Sequence, residues 1–389
     1  MGKLEMERCL FSLDHTELKR YPNYGTLRVR EWLQVGLVLE QERAMSVGAT
    51  VDVRGAILDD EESLRLMDFP DSTEEIPTLD IAPYLSGAPG GREQVAAKLH
   101  EISTTVGFFY LKGHNIPEDL IANLFAQSRR FHSLPEAEKK AVPRINVDSF
   151  KSGYQESYED RAKANVNIIS DAKPNKLSKF SANREGGSGG ASMSEADRAK
   201  PRNVWPENLP GFKDVVLDYH RSVEALACQF MPLWATCLKL PLDFFDKYFL
   251  TPHGTLSLLH YPPQKEIGNR QYGIAPHTDN ALMVFLAQSN VPGLAVRMPS
   301  GHWRLVEGRP GTLLVNTGNV LVRWTNNTYL STKHRVINTN DVDRYSVPFF
   351  FGPSGDALIE CLPTCTGEGR PPLYEPITYA SLRQWYYGD

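Results

Sequence analysis

The chain has 389 residues, of which 41% are apolar and 23% charged, and its formal net charge is −5. That apolar fraction is ample for a core and excludes wholesale disorder, while a mild acidic balance argues against a dedicated nucleic-acid binder, which carries a basic excess. At roughly 100–200 residues per domain the length allows two or three domains, or one large β-rich domain with a cap.

Residues 1–70 read as an extension outside the main fold. Arg28 to Arg43 fits an amphipathic helix with Trp32, Val35, Leu37 and Leu39 partly on one side. The run Asp59-Asp60-Glu61-Glu62 looks like a solvated linker, and Met67 opens a stretch that would serve equally well as a protein start. Residues 71–240 read as mainly helical. Ile76 to Ile81 alternates like a half-buried strand. Gly91 to Val106 follows as a helix with Val95, Leu99, Ile102 and Val106 on one stripe. Gly107 to Leu111 is a short strand, and beyond Pro117 a second helix, Glu118 to Ser133, carries Leu120, Ile121, Leu124, Phe125 and Phe131. Residues 140–205 are polar and read as irregular, with a flexible loop at Gly186–Gly190. A long helix is expected from Gly211 to about Leu238, bent near Pro232.

Residues 241–389 change character. Short apolar runs recur at Leu256–Tyr261, Leu282–Ala287, Leu294–Met298, Trp303–Val306, Thr312–Asn316, Val320–Trp324, His334–Asn338 and Tyr345–Phe351. Turn signals such as Pro262-Pro263, Pro292-Gly293 and Pro310-Gly311 separate them. Short strands at this spacing predict a double-sheet jelly roll. The expected class is mixed α+β, a double-stranded β-helix (jelly-roll) core buttressed by N-terminal helices, with a C-terminal tail. The five cysteines, Cys9, Cys228, Cys237, Cys361 and Cys365, are sparse and odd in number, which predicts reduced thiols. Cys361 and Cys365 have no partner pair, which argues against structural zinc. No apolar run approaches the ~18 residues of a bilayer span, so the expected location is cytoplasmic, with no membrane partner.

Chemistry concentrates in three places. His277 and Asp279, two apart in extended chain, point the same way. With His334 they make two imidazoles and one carboxylate, a facial triad that leaves three positions open on a ferrous ion, although zinc with water would satisfy the same residues. Arg344 and Ser346 share a strand face, and a guanidinium fork beside a hydroxyl suits a carboxylate.

On the segments HYPP (260–263), APHTD (275–279), PGLAVRMPSGHW (292–303), PGTLLVNTGNVLVRWTNNTYLSTKHRV (310–336) and DRYSVPFFF (343–351), the chain resembles the isopenicillin N synthase-like iron(II)/2-oxoglutarate-dependent dioxygenases. IPTLDIAPYLSG and VGFFYLKGHNIP extend the likeness, which covers roughly 76–375. The resemblance implies that His277, Asp279 and His334 are the catalytic iron ligands. It also implies that Arg344 and Ser346 clamp the distal carboxylate of 2-oxoglutarate, with Tyr261 beside it. Leu259 stands where many members have an Asn that helps hold the cosubstrate, and Val284 where Thr is common.

The implied reaction is oxidation of a small organic metabolite by O2, by hydroxylation, desaturation, cyclisation or demethylation, with release of succinate and CO2. Secondary metabolism is the implied setting, and a monomer or weak homo-oligomer the expected state. Two alternatives stay open: an iron oxidase of the same fold that needs no 2-oxoglutarate, its Arg-x-Ser gripping the substrate, and a non-catalytic jelly-roll binding protein. His260, alternating with Tyr261, is expected to face away from the iron, and His114 to pack. Phe350 reads as core. Phe150, Tyr154 and Tyr158 fit either a substrate entrance or the core, and Trp385, Tyr386 and Tyr387 fit a cover over the barrel or a contact with a partner subunit.

Overall fold

The computed structural model describes residues 72–147, 150–158, 175–185, 203–264 and 272–387, together with the paired strands Thr50–Val51 and Ile57–Leu58. Chain contacts separate residues 1–49 from 50–389, and the fold described here belongs to the second unit. The helix expected at 28–43, the acidic run 59–62, Met67, Cys9 and the loop 186–190 lie outside the described residues.

Four helices form the buttress. Helix α1 (Gly91–Thr105) buries Val95, Leu99 and Ile102 at three- and four-residue spacing. Helix α2 (Glu118–His132) starts behind Pro117, with Glu118 and Asp119 in its first turn and Arg129, Arg130 and His132 in its last, complementing the helix dipole at both ends. The long helix expected after Gly211 is divided into α3 (Phe212–Cys228) and α4 (Phe230–Cys237). The break falls where Pro232 dictates, since its ring clashes with the carbonyl four residues back, and that residue is Cys228.

These helices back a nine-stranded sheet. In chain order its strands are β1 (Thr78–Asp80), β2 (Phe108–Lys112), β3 (Ile145–Val147), β4 (Phe150–Tyr158), β5 (Asn175–Asn183), β6 (His253–Tyr261), β8 (Met283–Gln288), β11 (Thr312–Thr317) and β13 (Arg344–Gly352). Their spatial order is β1-β2-β11-β8-β13-β6-β5-β4-β3, antiparallel except for the β1–β2 pair. The second sheet holds β7 (Ile274–His277), β9 (Leu294–Arg297), β10 (Trp303–Val306) and β12 (His334–Val336), in the order β10-β9-β12-β7. The jelly roll with helical buttresses is therefore present, with two corrections to the expected elements.

Residues 140–205 are not irregular where they are described: β4 and β5, nine residues each, form an antiparallel hairpin that widens the large sheet. Their signal was hidden because Ser152, Ser181 and Asn183 are buried polar residues, which breaks the apolar alternation that betrays a strand. Val320–Trp324 is not a strand but helix α5 (Asn319–Trp324). Its residues 319–322 and Trp324 are all buried, and a short run buried on every side has no period with which to distinguish helix from strand.

The large sheet separates two apolar layers by side-chain parity. Phe109, Leu111, Leu256, Leu258, Phe285, Leu313, Val315, Val347, Phe349 and Phe351 pack with the helices in one core. Phe108, Tyr110, Leu259, Tyr261 and Leu314 face the other way, toward Leu294, Val296 and Val336 of the small sheet. Residues 344, 346, 348 and 350 therefore project into the space between the sheets.

Candidate active site

That parity carries the site. His277 ends β7, His334 begins β12, and the two residues are direct cross-strand partners. Asp279 follows two residues beyond His277, in the turn before β8. One ligand atom from each of the three lies within 4.8 Å of the others. Asp279 Oδ1 is 3.7 Å from His277 Nε2, and Asp279 Oδ2 is 3.4 Å from His334 Nε2. The imidazole centroids stand 4.2 Å apart. His277 Nδ1 lies 2.8 Å from the Ala275 carbonyl and His334 Nδ1 3.1 Å from that of Thr332. A carbonyl only accepts, so each Nδ1 donates and each Nε2 turns its lone pair toward the shared centre. Asp279 and His334 are buried and His277 is half-buried. The donor set fits a divalent transition metal.

Arg344 and Ser346 lie on β13 opposite Tyr261 and Leu259 of β6. Arg344 is 1% exposed, and among the described residues no carboxylate pairs with it. Its Nη1 donates to Ser346 Oγ at 3.4 Å, its guanidinium carbon sits 5.0 Å from the centre of the Tyr261 ring, and its Nε has no acceptor among the described residues. Burial pulls the Arg344 pKa below its usual value and neighbouring Tyr261 opposes that shift. A buried guanidinium with an N–H unanswered fits an anionic ligand, and a carboxylate matches the fork. Gly293 leaves the room: a Cβ there would come within 2.9 Å of Arg344 Cδ.

The comparisons agree with this geometry. Residues 76–208 match the family model for the N-terminal region of the non-haem dioxygenase in morphine synthesis, and residues 252–353 match that of the 2OG-Fe(II) oxygenase superfamily. The 2-oxoglutarate-Fe(II) type oxidoreductase hxnY of Emericella nidulans is 31% identical over 317 residues, covering 80% of this chain and 89% of that protein. The chain belongs to the 2OG-Fe(II) oxygenase superfamily.

Homoarginine-6-hydroxylase of Glycine max is 32% identical over 309 residues, spanning 74% of this chain and 88% of its own length. Among solved structures, a full-length Neurospora crassa protein in complex with α-ketoglutarate and thymine superposes with a TM-score of 0.70 at 27% identity, covering 80% of this chain and 96% of that one. The protein is an Fe(II)- and 2-oxoglutarate-dependent oxygenase, an enzyme using O2 as co-reactant.

Other residues of this oxygenase find definite places. His260 faces the helices, away from the triad: it stacks on Tyr345 and its Nε2 is 3.0 Å from Asp343 Oδ1. His114 packs, its Nδ1 accepting from the Ile116 amide. Tyr154 belongs to the helix-side core against Phe131, while the side chains of Phe150 and Tyr158 lie outside the described residues. Phe350 is half-buried on the same strand face as Arg344 and is absent from the helix-side core. Cys228, Cys237, Cys361 and Cys365 are free thiols, and burial pushes Cys228 up to about 11 and Cys237 to about 12.

Sequence reasoning missed one residue beside the triad. Asn316, on β11, donates through Nδ2 to Asp279 Oδ2 at 2.8 Å, and nothing marks one strand asparagine from another. The tail, for which a cover over the barrel was one of two expectations, forms helix α6 (Tyr379–Tyr387) and closes over the end of the large sheet. Tyr379 packs where a side chain at Gly352 would stand, Arg383 bonds His253, and Tyr386 accepts from Asn319 Nδ2 at 3.4 Å. The spacing of 379, 383 and 386 is that of one helix face and was legible. Trp385, by contrast, is 49% exposed.

Proposed function

We propose that His277, Asp279 and His334 hold the iron, and that Arg344, Ser346 and Tyr261 receive the far carboxylate of 2-oxoglutarate. The observation that carries this is the convergence of the three donors within 4.8 Å in a chain of this family. The unanswered Nε of buried Arg344 supports the second half. Bound iron and 2-oxoglutarate supply the oxidation, in which substrate C–H, 2-oxoglutarate and O2 give substrate C–OH, succinate and CO2.

The protein's own residues orient and exclude. The carbonyls of Ala275 and Thr332 hold the two imidazoles in one tautomer, so neither ring must reorganise to present Nε2. The Arg344 fork sets the direction of the cosubstrate, and the Tyr261 ring lies against the guanidinium. Leu259, opposite Ser346, makes that flank apolar. The Leu294, Val296 and Val336 layer keeps water from the space between the sheets.

For the substrate we propose a small polar molecule that is hydroxylated. Strands β5 and β6 turn the cross-strand pairs Ser181–Ser257 and Asn183–Thr255 toward the inter-sheet space, and each pair is hydrogen-bonded, at 3.0 and 2.7 Å. The relatives named for homoarginine hydroxylation and solved with thymine both concern small nitrogen-bearing molecules. Residues 1–70 are proposed to stand outside the catalytic unit, 71–240 to form its helical half and 241–389 its jelly-roll half. A cytoplasmic monomer or weak homo-oligomer without nucleic-acid partners is proposed too. Free thiols and the net charge of −5 support this, and no described helix is long and apolar enough to cross a membrane.

Anaerobic titration with Fe(II) and then 2-oxoglutarate tests the site. The wild type is expected to develop the metal-to-ligand charge-transfer band of a chelated 2-oxoacid, and Asp279→Ala to lose it with at least a hundred-fold weaker iron binding. Unchanged binding by Asp279→Ala would sink the assignment. Succinate release across a panel of amino acids and nucleobases then narrows the substrate.

A further inference from the structure

We infer that Asn316 is a positioning residue that commits one oxygen of Asp279 and so keeps its carboxylate a single-atom metal donor. The inference rests on the iron site proposed above. Asn316 sits near the end of β11, where Leu313 and Val315 face the helices, so its side chain faces the site. It is 4% exposed. Its Nδ2 donates to Asp279 Oδ2 at 2.8 Å and makes a longer contact, 3.5 Å, with the Thr317 carbonyl. Both amide hydrogens therefore have acceptors, and the orientation of the amide is fixed by them.

The consequence follows from counting positions. Three protein donors would leave three sites of an octahedral ion for the cosubstrate and co-reactant, with none to spare. A carboxylate that swung to offer both oxygens would take one. Asp279 Oδ1 and Oδ2 face different imidazoles, at 3.7 and 3.4 Å, so the side chain by itself has no strong preference. The Asn316 bond breaks that symmetry by engaging Oδ2.

The backbone around Asn316 makes this more than one bond. The Asn319 amide donates to the Asp279 carbonyl at 2.8 Å, the Gly318 amide to the Leu282 carbonyl at 2.9 Å and the Val320 amide to the Ala281 carbonyl at 3.3 Å. Asn319 Nδ2 adds Thr278 Oγ1 at 3.2 Å and Asn280 Oδ1 at 2.6 Å. Segment 316–320 thus holds segment 278–282 from main chain to carboxylate, with the Asn316 amide the part that touches the donor group.

The test compares Asn316→Ala and Asn316→Ser with the wild type and with Asp279→Ala. The readouts are thermal unfolding of the metal-free proteins, Fe(II) and Mn(II) affinity by calorimetry, and the charge-transfer band with 2-oxoglutarate under anaerobic conditions. The expected result is a folded Asn316→Ala with metal affinity lowered ten- to a hundred-fold, a shifted or weakened band, and a KM for 2-oxoglutarate raised more than kcat is lowered. Asn316→Ser, keeping a shorter donor, should recover part of the affinity. Wild-type metal affinity and band in both variants overturn the proposal, as does a loss of folding in both, which would make Asn316 a packing residue only. Asp279→Ala separates the two levels: if it too binds iron normally, the site assignment has failed and not merely the role of Asn316.

Discussion

Arg344 brings a guanidinium to a place that is 1% exposed where, among the described residues, no carboxylate meets it, an arrangement that costs free energy unless a ligand supplies the anion. Truncating one partner of a buried, hydrogen-bonded charge pair costs about 2–5 kcal/mol. Arg344→Ala is therefore expected to raise the KM for 2-oxoglutarate by about thirty-fold or more. Arg344→Lys should fall between the two, because an ammonium cannot reproduce the fork. Ser346→Ala removes one neutral partner worth about 1 kcal/mol and should cost roughly five-fold. Succinate release measured against 2-oxoglutarate concentration checks the order, and an Arg344→Ala enzyme with wild-type KM would remove Arg344 from the clamp. At this scale the sequence was most informative, since residues two apart on one strand declare a shared face. Asn316 was not legible, because its role depends on which turn the fold brings opposite it.

Elements were legible where their period survived. Helices α1 and α2 carry apolar residues every third or fourth position and lie where the pattern puts them. The β4–β5 hairpin and α5 were misread for opposite reasons, one presenting polar residues to the interior and the other apolar residues in every direction. The junction between β11 and α5 shows what such elements do for the site. Gly318 there has φ −118°, which any residue can adopt, so its need for glycine is one of space. A Cβ would overlap the Ala281 carbonyl and come within 3.0 Å of the Asp279 carbonyl oxygen, both backbone atoms of the segment bearing Asp279. Gly318→Ala should destabilise the fold by about 1–3 kcal/mol, the range of overpacking. It should also weaken Fe(II) binding by displacing Asp279. A denaturant titration and an iron titration read the two effects, and an unaltered iron affinity would mean that the segments move apart without moving the carboxylate.

On the scale of the whole molecule, the sheet that faces the proposed metal site on one side rests on a helix layer that buries two imidazoles. His132 lies under β6, its Nε2 donating to the Leu258 carbonyl at 3.1 Å and its Nδ1 3.1 Å from Ser178 Oγ. Burial, with His260 and Lys139 nearby, pulls its pKa down to about 3. His220 donates to the Gly254 carbonyl at 3.1 Å, and burial lowers it to about 4 against the weaker lift of that hydrogen bond. Both are neutral in the folded state at pH values where the unfolded chain, near 6.5, already binds a proton. The unfolded state thus holds more protons as the medium is acidified, and stability falls with pH from about 6.5 toward the folded values. Each histidine contributes up to about 1.4 kcal/mol per pH unit well below 6.5. Glu224, raised by its own burial, acts in the opposite direction close to its normal range and blunts the slope there. His132→Gln keeps an N–H for the Leu258 carbonyl and an acceptor for Ser178, but cannot be protonated. It should flatten the dependence by about 1 kcal/mol per unit between pH 5.5 and 4.5. Urea midpoints at pH 7, 6, 5.5, 5 and 4.5 for both proteins decide the matter. Parallel curves would show that His132 is charged in the fold or that acid lability arises elsewhere, whereas convergence at pH 7 with divergence below 6 is the signature of a buried neutral imidazole bracing the sheet beneath the site.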